Sequence, residues 1–143
     1  MSALIEFQEK FQVNDLMIYE TDYWIWSLRP HQATLGAGIL SLKRQCDTFG
    51  ELTQQEFCDL SNVIKVIEKT LTRLVRYDVI NYLMLMMFDK QVHFHVFPRF
   101  KNPVDALDER WVDANWPGIP ELLGDPLKHE RLMKIVQFIK ASL

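Results

Sequence analysis

The segment Gln91-Val92-His93-Phe94-His95-Val96-Phe97 alternates without a break. An extended strand turns such alternation into two different surfaces, because successive side chains leave a strand on opposite sides. Gln91, His93, His95 and Phe97 are expected on one face, and Val92, Phe94 and Val96 on the other, against a core. The two histidines then stand about 6.5–7 Å apart at Cα, so both imidazoles reach one small polar ligand. A neutral imidazole is a fair nucleophile and an acid or base near neutral pH, since its reference pKa is about 6.5. One histidine on a strand is usually structural; two on one face, backed by a clean apolar face, are harder to explain that way. The same spacing suits a metal, and a zinc site would want a third ligand from His31, His129, Asp89 or Glu130.

The rest of the chain supplies elements to cover and extend this strand. Thr53 and Glu56 have capping-box spacing. From there Phe57, Leu60, Ile64, Ile67, Leu71 and Leu74 recur every three or four residues, which predicts a helix with one buried stripe running to about Arg76. Val79 to Phe88 is apolar, ends at the turn signal Asp89-Lys90, and reads as a central strand buried on both faces and joined by a hairpin to the strand from Gln91. Upstream, Leu16–Thr21 and Tyr23–Leu28 are rich in β-branched and aromatic residues and predict a hairpin turning at Thr21-Asp22, with a third strand at Ile39–Leu42. Phe100 to Asp125 reads as a long ordered loop. Leu127 to Leu143 reads as an amphipathic helix with Leu132, Ile135, Val136 and Ile139 on one side. The expected class is α+β: an antiparallel sheet of about five strands, one long central helix and a C-terminal helix.

Composition narrows the functional classes. A net charge of −3 in 143 residues, with acids and bases interspersed, gives no electrostatic case for nucleic acid and offers no basic tract to a membrane. The N-terminus lacks a signal-peptide pattern, and the longest apolar run, Tyr82 to Phe88, falls far short of a membrane span. Cys46 and Cys58 form no CxxC and read as reduced thiols. A cytoplasmic protein is the expectation.

The stretch Gln91-Val92-His93-Phe94-His95-Val96-Phe97-Pro98-Arg99 resembles the signature of the histidine triad (HIT) superfamily: His-φ-His-φ-His-φ-φ, with φ hydrophobic, often followed by Pro-Arg. Leu35 to Arg44 is similar to the family's glycine-containing strand with its basic end, and Phe49 to Glu56 to the start of its long helix. The likeness covers about residues 14 to 100 and looks most like the diadenosine-polyphosphate-hydrolase type. It implies a single HIT-like domain over 1–143, with its core at about 14–100 and a loop plus C-terminal helix over 101–143. It also implies cleavage at the α-phosphate of dinucleoside polyphosphates or nucleoside phosphoramidates, by attack of His93 on phosphorus and transfer from a nucleotidyl-histidine. His95 would donate hydrogen bonds to phosphate oxygens, with no cofactor and no metal in the chemical step. A purine nucleotide substrate and a homodimer with its sheets joined across the interface are implied as well.

This chain departs from the pattern in three places. The first triad position is Gln91, which can hydrogen-bond but cannot carry a positive charge; two further positions where the family often has histidine are Ala37 and Gln45. Arg29, Lys43, Arg44 and Arg99 are candidate phosphate ligands by charge and geometry, and Asn81 is a candidate for a phosphate or ribose contact, each set against an ordinary structural or solvated role. His31 is a candidate neighbour of the base pocket, and Trp111 and Trp116 candidates for covering the site mouth or a dimer contact. Two competing readings are a non-catalytic nucleotide-binding module and a metal-dependent enzyme using His93 and His95 as ligands. A mainly stranded metal-binding barrel conflicts with the strong helix at 53–76.

Overall fold

The computed structural model describes residues 2–143. A short helix α1 (Ala3–Lys10) leads into strands β1 (Met17–Glu20), β2 (Trp24–Leu28) and β3 (Gly38–Leu42). Helix α2 (Gln54–Val75), strands β4 (Val79–Leu83) and β5 (His93–Arg99), a small hairpin of β6 (Val104–Ala106) and β7 (Glu109–Trp111), and helix α3 (His129–Lys140) follow. The main sheet is antiparallel throughout, in the order β1-β2-β3-β5-β4. The α+β class expected from the sequence is the class observed.

The long helix forms for the local reasons its sequence carries. Thr53 accepts from the Glu56 backbone N–H, and the Glu56 carboxylate accepts from the Thr53 N–H, closing a capping box. Arg44 clamps the same carboxylate with two hydrogen bonds of 2.8 and 2.9 Å, and the indole of Trp24 donates to the Glu56 carbonyl, which ties the helix start to the sheet. Leu60, Val63, Ile67 and Leu71 of α2, with Leu132, Ile135, Val136 and Ile139 of α3, cover one face of the sheet against Trp24, Trp26, Leu40, Leu42 and Val96. Phe57, expected on the buried stripe, instead stands 41% exposed and meets Phe49 edge-on. No helix among the described residues is long and apolar enough to cross a membrane.

Three further expectations change. The strand at 79–83 is not central but an edge, paired only with β5, and its residues are half-buried to exposed; its apolar composition reflects a face the chain leaves open rather than two buried faces. The stretch from Phe100 to Asp125 is not all loop, since β6 and β7 pair across Leu107 and Asp108, both at positive φ. Residues 3–10, for which no element was expected, form α1. Ser2 caps it by accepting from the Ile5 N–H, and Phe7 and Phe11, one helical turn apart, face the sheet.

Candidate active site

The face of the sheet opposite α2 carries the histidines. Register places Ser41 beside His93, Ile39 beside His95, and Leu83 on the other side of His95. Alternation along β5 then brings His93, His95, Phe97 and Arg99 onto this one face. The two imidazole centroids are 5.0 Å apart, with the rings nearly perpendicular.

Hydrogen bonds at their Nδ1 atoms set the two histidines in opposite states. His93 Nδ1 lies 2.5 Å from the Gln91 carbonyl oxygen, which only accepts, so His93 donates its Nδ1–H and keeps a lone pair on Nε2. His95 Nδ1 accepts from Arg29 Nε at 3.2 Å, so the neutral His95 carries its proton on Nε2. Burial pushes His95 down to about 3, with His93, Arg29 and Lys10 acting in the same direction. Burial also lowers His93, opposed by the Gln91 hydrogen bond and by Asp89. Both imidazoles are neutral at pH 7, one an acceptor and the other a donor at Nε2.

The site is roofed. Phe7 stacks obliquely on His93 at 4.7 Å between centroids, and Phe11 lies 5.8 Å from the His95 ring. His93 is 2% exposed and His95 8%. Lys10 of α1 grips Asp89 with two contacts of 3.0 Å, and the Leu4 N–H donates to Gln45. Beyond Phe97, the segment 112–127 covers the rest of the face. Arg99 donates to both carboxylate oxygens of Asp113 and to the Gly118 carbonyl, and Arg29 donates to the Leu122 carbonyl. Between this segment and the β4 edge runs a cleft of about 370 Å³, lined by Val79, Asn81, Leu83, Arg99, Trp116 and Ile119 among others.

Of the residues singled out from the sequence, His93, His95 and Arg29 converge. Gln91 lies behind them, fully buried: its amide accepts from the Cys46 N–H and donates to the Leu42 and Arg44 carbonyls, satisfying backbone groups of the turn after β3. The regular strand starts only at His93, so Gln91 follows the turn rather than the alternation. Asn81 and Arg99 bond each other at 2.9 Å on the cleft wall, with most of the Arg99 donors already engaged. Lys43 is not brought to the histidines; it pairs with Glu20 and borders a separate hollow beside the start of α2. His31 lies against Arg29.

Neither a protein-family model nor a curated protein matches the chain. Solved structures do. A histidine triad protein from Sinorhizobium meliloti 1021 superimposes with a TM-score of 0.73 at 22% identity, over 94% of either chain. One from Marinobacter aquaeolei VT8 gives 0.73 at 17% identity, over 94% of this chain and 93% of that one. The Plasmodium falciparum diadenosine triphosphate hydrolase, in complex with cyclomarin A, gives 0.62 at 13% identity, over 98% and 95%. The fold is that of the histidine triad proteins.

Within this histidine triad fold, sequence reasoning missed the roof and one hydroxyl. Phe7 and Phe11 do carry a signal, an i, i+4 aromatic pair beginning one turn after a serine cap. Ser27 carries none. It pairs with Ile39 on the histidine face and is fully buried, and its Oγ has no hydrogen-bond partner.

Proposed function

We propose that this chain is a nucleotide hydrolase or nucleotidyl transferase that acts at the α-phosphate of dinucleoside polyphosphates or nucleoside phosphoramidates. The observation that carries the reading is the pair of opposed tautomers. His93 presents an unprotonated Nε2 to attack phosphorus, and His95 beside it presents an Nε2–H to a phosphoryl oxygen. Attack forms the P–N bond and expels the leaving group; water or another acceptor then takes the nucleotidyl group and restores the imidazole. Gln91 contributes through its backbone carbonyl, which holds His93 in the attacking tautomer, so a missing side-chain imidazole at that position does not remove the nucleophile's orientation. The cleft of about 370 Å³ beside Leu83 has the size of a small-molecule site and offers apolar walls with Asn81 and Arg99 as polar groups; a purine nucleotide suits it.

The test is to trap the intermediate. Protein incubated with a dinucleoside polyphosphate or AMP-amide labelled at the α-phosphate should carry acid-labile label, and His93→Ala should carry none. Turnover without label on the parent protein would overturn the scheme. The near-complete burial of His93 favours one second reading, a nucleotide-binding module without turnover; binding of AMP with no hydrolysis across the same panel would support it. A metal-dependent reading finds less footing, since among the described residues no three or more His, Cys, Asp or Glu side chains gather into a metal site.

The same reading includes a homodimer formed through β4. Among the described residues it is a sheet edge paired with β5 alone, and its own Val79 and the following Leu85, Met87 and Phe88 stand 46%, 50%, 74% and 92% exposed. Met87→Glu with Phe88→Glu should shift sedimentation toward the monomer; a parent protein that is monomeric at high concentration would refute it.

A further inference from the structure

Arg29 bridges the histidines and the C-terminal cover, touching His95 on one side and the Leu122 carbonyl on the other. It follows the last residue of β2, and its backbone N–H donates to the Ala37 carbonyl at 2.9 Å, which extends the β2–β3 pairing by one step. That register puts its side chain on the histidine face, where it is 7% exposed. Every branch of the guanidinium is engaged. Nε donates to His95 Nδ1, Nη1 to the His31 carbonyl at 3.3 Å with His31 Nδ1 at 3.0 Å, and Nη2 to the Leu122 carbonyl. The group also rests over the Phe97 ring, 5.3 Å from its centroid.

What Arg29 lacks is a carboxylate. Among the described residues none lies within ion-pairing distance of it, whereas Arg99, equally buried on the same face, is paired with Asp113. A buried guanidinium without a counterion is a costly arrangement for stability alone. Its four neutral acceptors fix its position, and the acceptor it reaches deepest in the site is His95 Nδ1.

We infer that Arg29 is the positioning residue of this site: its Nε–H holds the His95 ring with the proton on Nε2, and so sets His95 as the donor opposite the His93 acceptor. The chemistry requires little else. Arginine does not lose its proton in proteins, so its Nε–H remains a donor at every working pH. His95 Nδ1 cannot be protonated while that bond stands. The orienting hydrogen bond that a catalytic imidazole needs on its far nitrogen comes from a backbone carbonyl for His93 and from a cation for His95. The opposite character of the two partners produces opposite tautomers from two copies of the same side chain.

This inference rests on the nucleotidyl-transfer reading for its purpose but not for its test. Long-range proton–nitrogen NMR correlations on imidazole-labelled protein report the tautomer of each histidine without substrate. In the parent protein His95 should show an unprotonated, hydrogen-bonded Nδ1 and a protonated Nε2, and His93 the reverse pattern. In Arg29→Met the His95 signals should move to the averaged values of a mixed tautomer, with titration starting at higher pH because one of its three neighbours that disfavour the charge (His93, Arg29 and Lys10) has gone. The His93 pattern should stay as it was, which also reports that the variant is folded. Arg29→Lys should recover part of the parent pattern. His95 with its proton on Nδ1 in the parent protein, or unchanged in Arg29→Met, would overturn the inference, and the parent measurement alone suffices if the variant fails to fold. If turnover is detected, Arg29→Met should lower kcat about 10²-fold with little change in KM; a rise in KM alone would make Arg29 a phosphate ligand instead. A protein with no turnover but the expected tautomers would refute the nucleotidyl-transfer reading and leave the role of Arg29 standing.

Discussion

Two covers lie on the histidine face of the sheet, and they are built differently. The C-terminal segment is held by charge that is buried: Arg99 and Asp113 are 4% and 8% exposed, and their side chains make five hydrogen bonds, two to each other and one each with Asn81 of β4, the Gly118 carbonyl and the Phe100 N–H. The N-terminal helix is held by Phe7 and Phe11, which lie on the imidazoles and pack with Ile25 and Ile39, by the hydrogen bond from the Leu4 N–H to Gln45, and by an ion pair in which Lys10 remains 54% exposed. Breaking a buried ion pair leaves an uncompensated charge, whereas an exposed pair is worth little to begin with. The contrast predicts that α1, whose ion pair is exposed, yields before the C-terminal segment, whose ion pair is buried.

The largest effect should come from breaking the firm cover. Asp113→Ala strands Arg99 in the interior and should destabilise the protein by about 3–5 kcal/mol, read as a lower midpoint in chemical unfolding. A shift no larger than a surface mutation gives would mean that the C-terminal segment is as loosely held as α1.

Acid should attack the other cover. The His95 pKa in the folded protein, about 3, lies below its unfolded value near 6.5, so the unfolded chain binds the proton more readily. Stability from keeping His95 neutral is therefore complete above pH 6.5 and is lost as pH falls from there towards 3, by on the order of a few kcal/mol. Lowered His93 adds to the loss in the same direction. Hydrogen exchange between pH 7 and 4 should show residues 3–10 losing protection before residues 113–118; simultaneous loss would erase the distinction between the covers.

Smaller perturbations sharpen it. Phe11→Ala removes one ring of the roof and should lower stability by about 2 kcal/mol, while speeding modification of the histidines by an acylating reagent. Lys10→Ala breaks the exposed pair and removes the cation that lies 5.2 Å from the Phe11 ring centroid, and should change stability by about 1 kcal/mol or less. Yet it too should speed that modification, because it frees the C-terminal end of α1. Unchanged reactivity in both variants would show that α1 does not gate the site.

Parts of this architecture were legible in the chain because they are local. Thr53 and Glu56 announce a capped helix start, and Phe94 and Val96 announce the core-facing side of a strand, half-buried at the first and buried at the second; both follow from local backbone geometry acting over a few residues. The edge position of β4 was not legible, since Val79 to Phe88 is as apolar as a central strand and only pairing order decides which strand lies outermost. The convergence of Arg29 on His95 was not legible either, for the two are 66 positions apart. Lys43 and Arg99 looked equally suited to bind phosphate, yet the fold pairs the first with Glu20 away from the histidines and locks the second to Asp113.

The sequence by itself determined that His93 and His95 would share a face, because a strand leaves its side chains no other choice. Which tautomer each would hold was decided only in three dimensions. A carbonyl two residues back reaches one ring and a guanidinium just past the end of β2 reaches the other, and the proton on an imidazole follows whatever its far nitrogen touches. Gln91 shows the same division: read from the chain it resembles a substituted triad position, and in the fold its amide ties down the turn after β3 while its carbonyl accepts from His93 Nδ1.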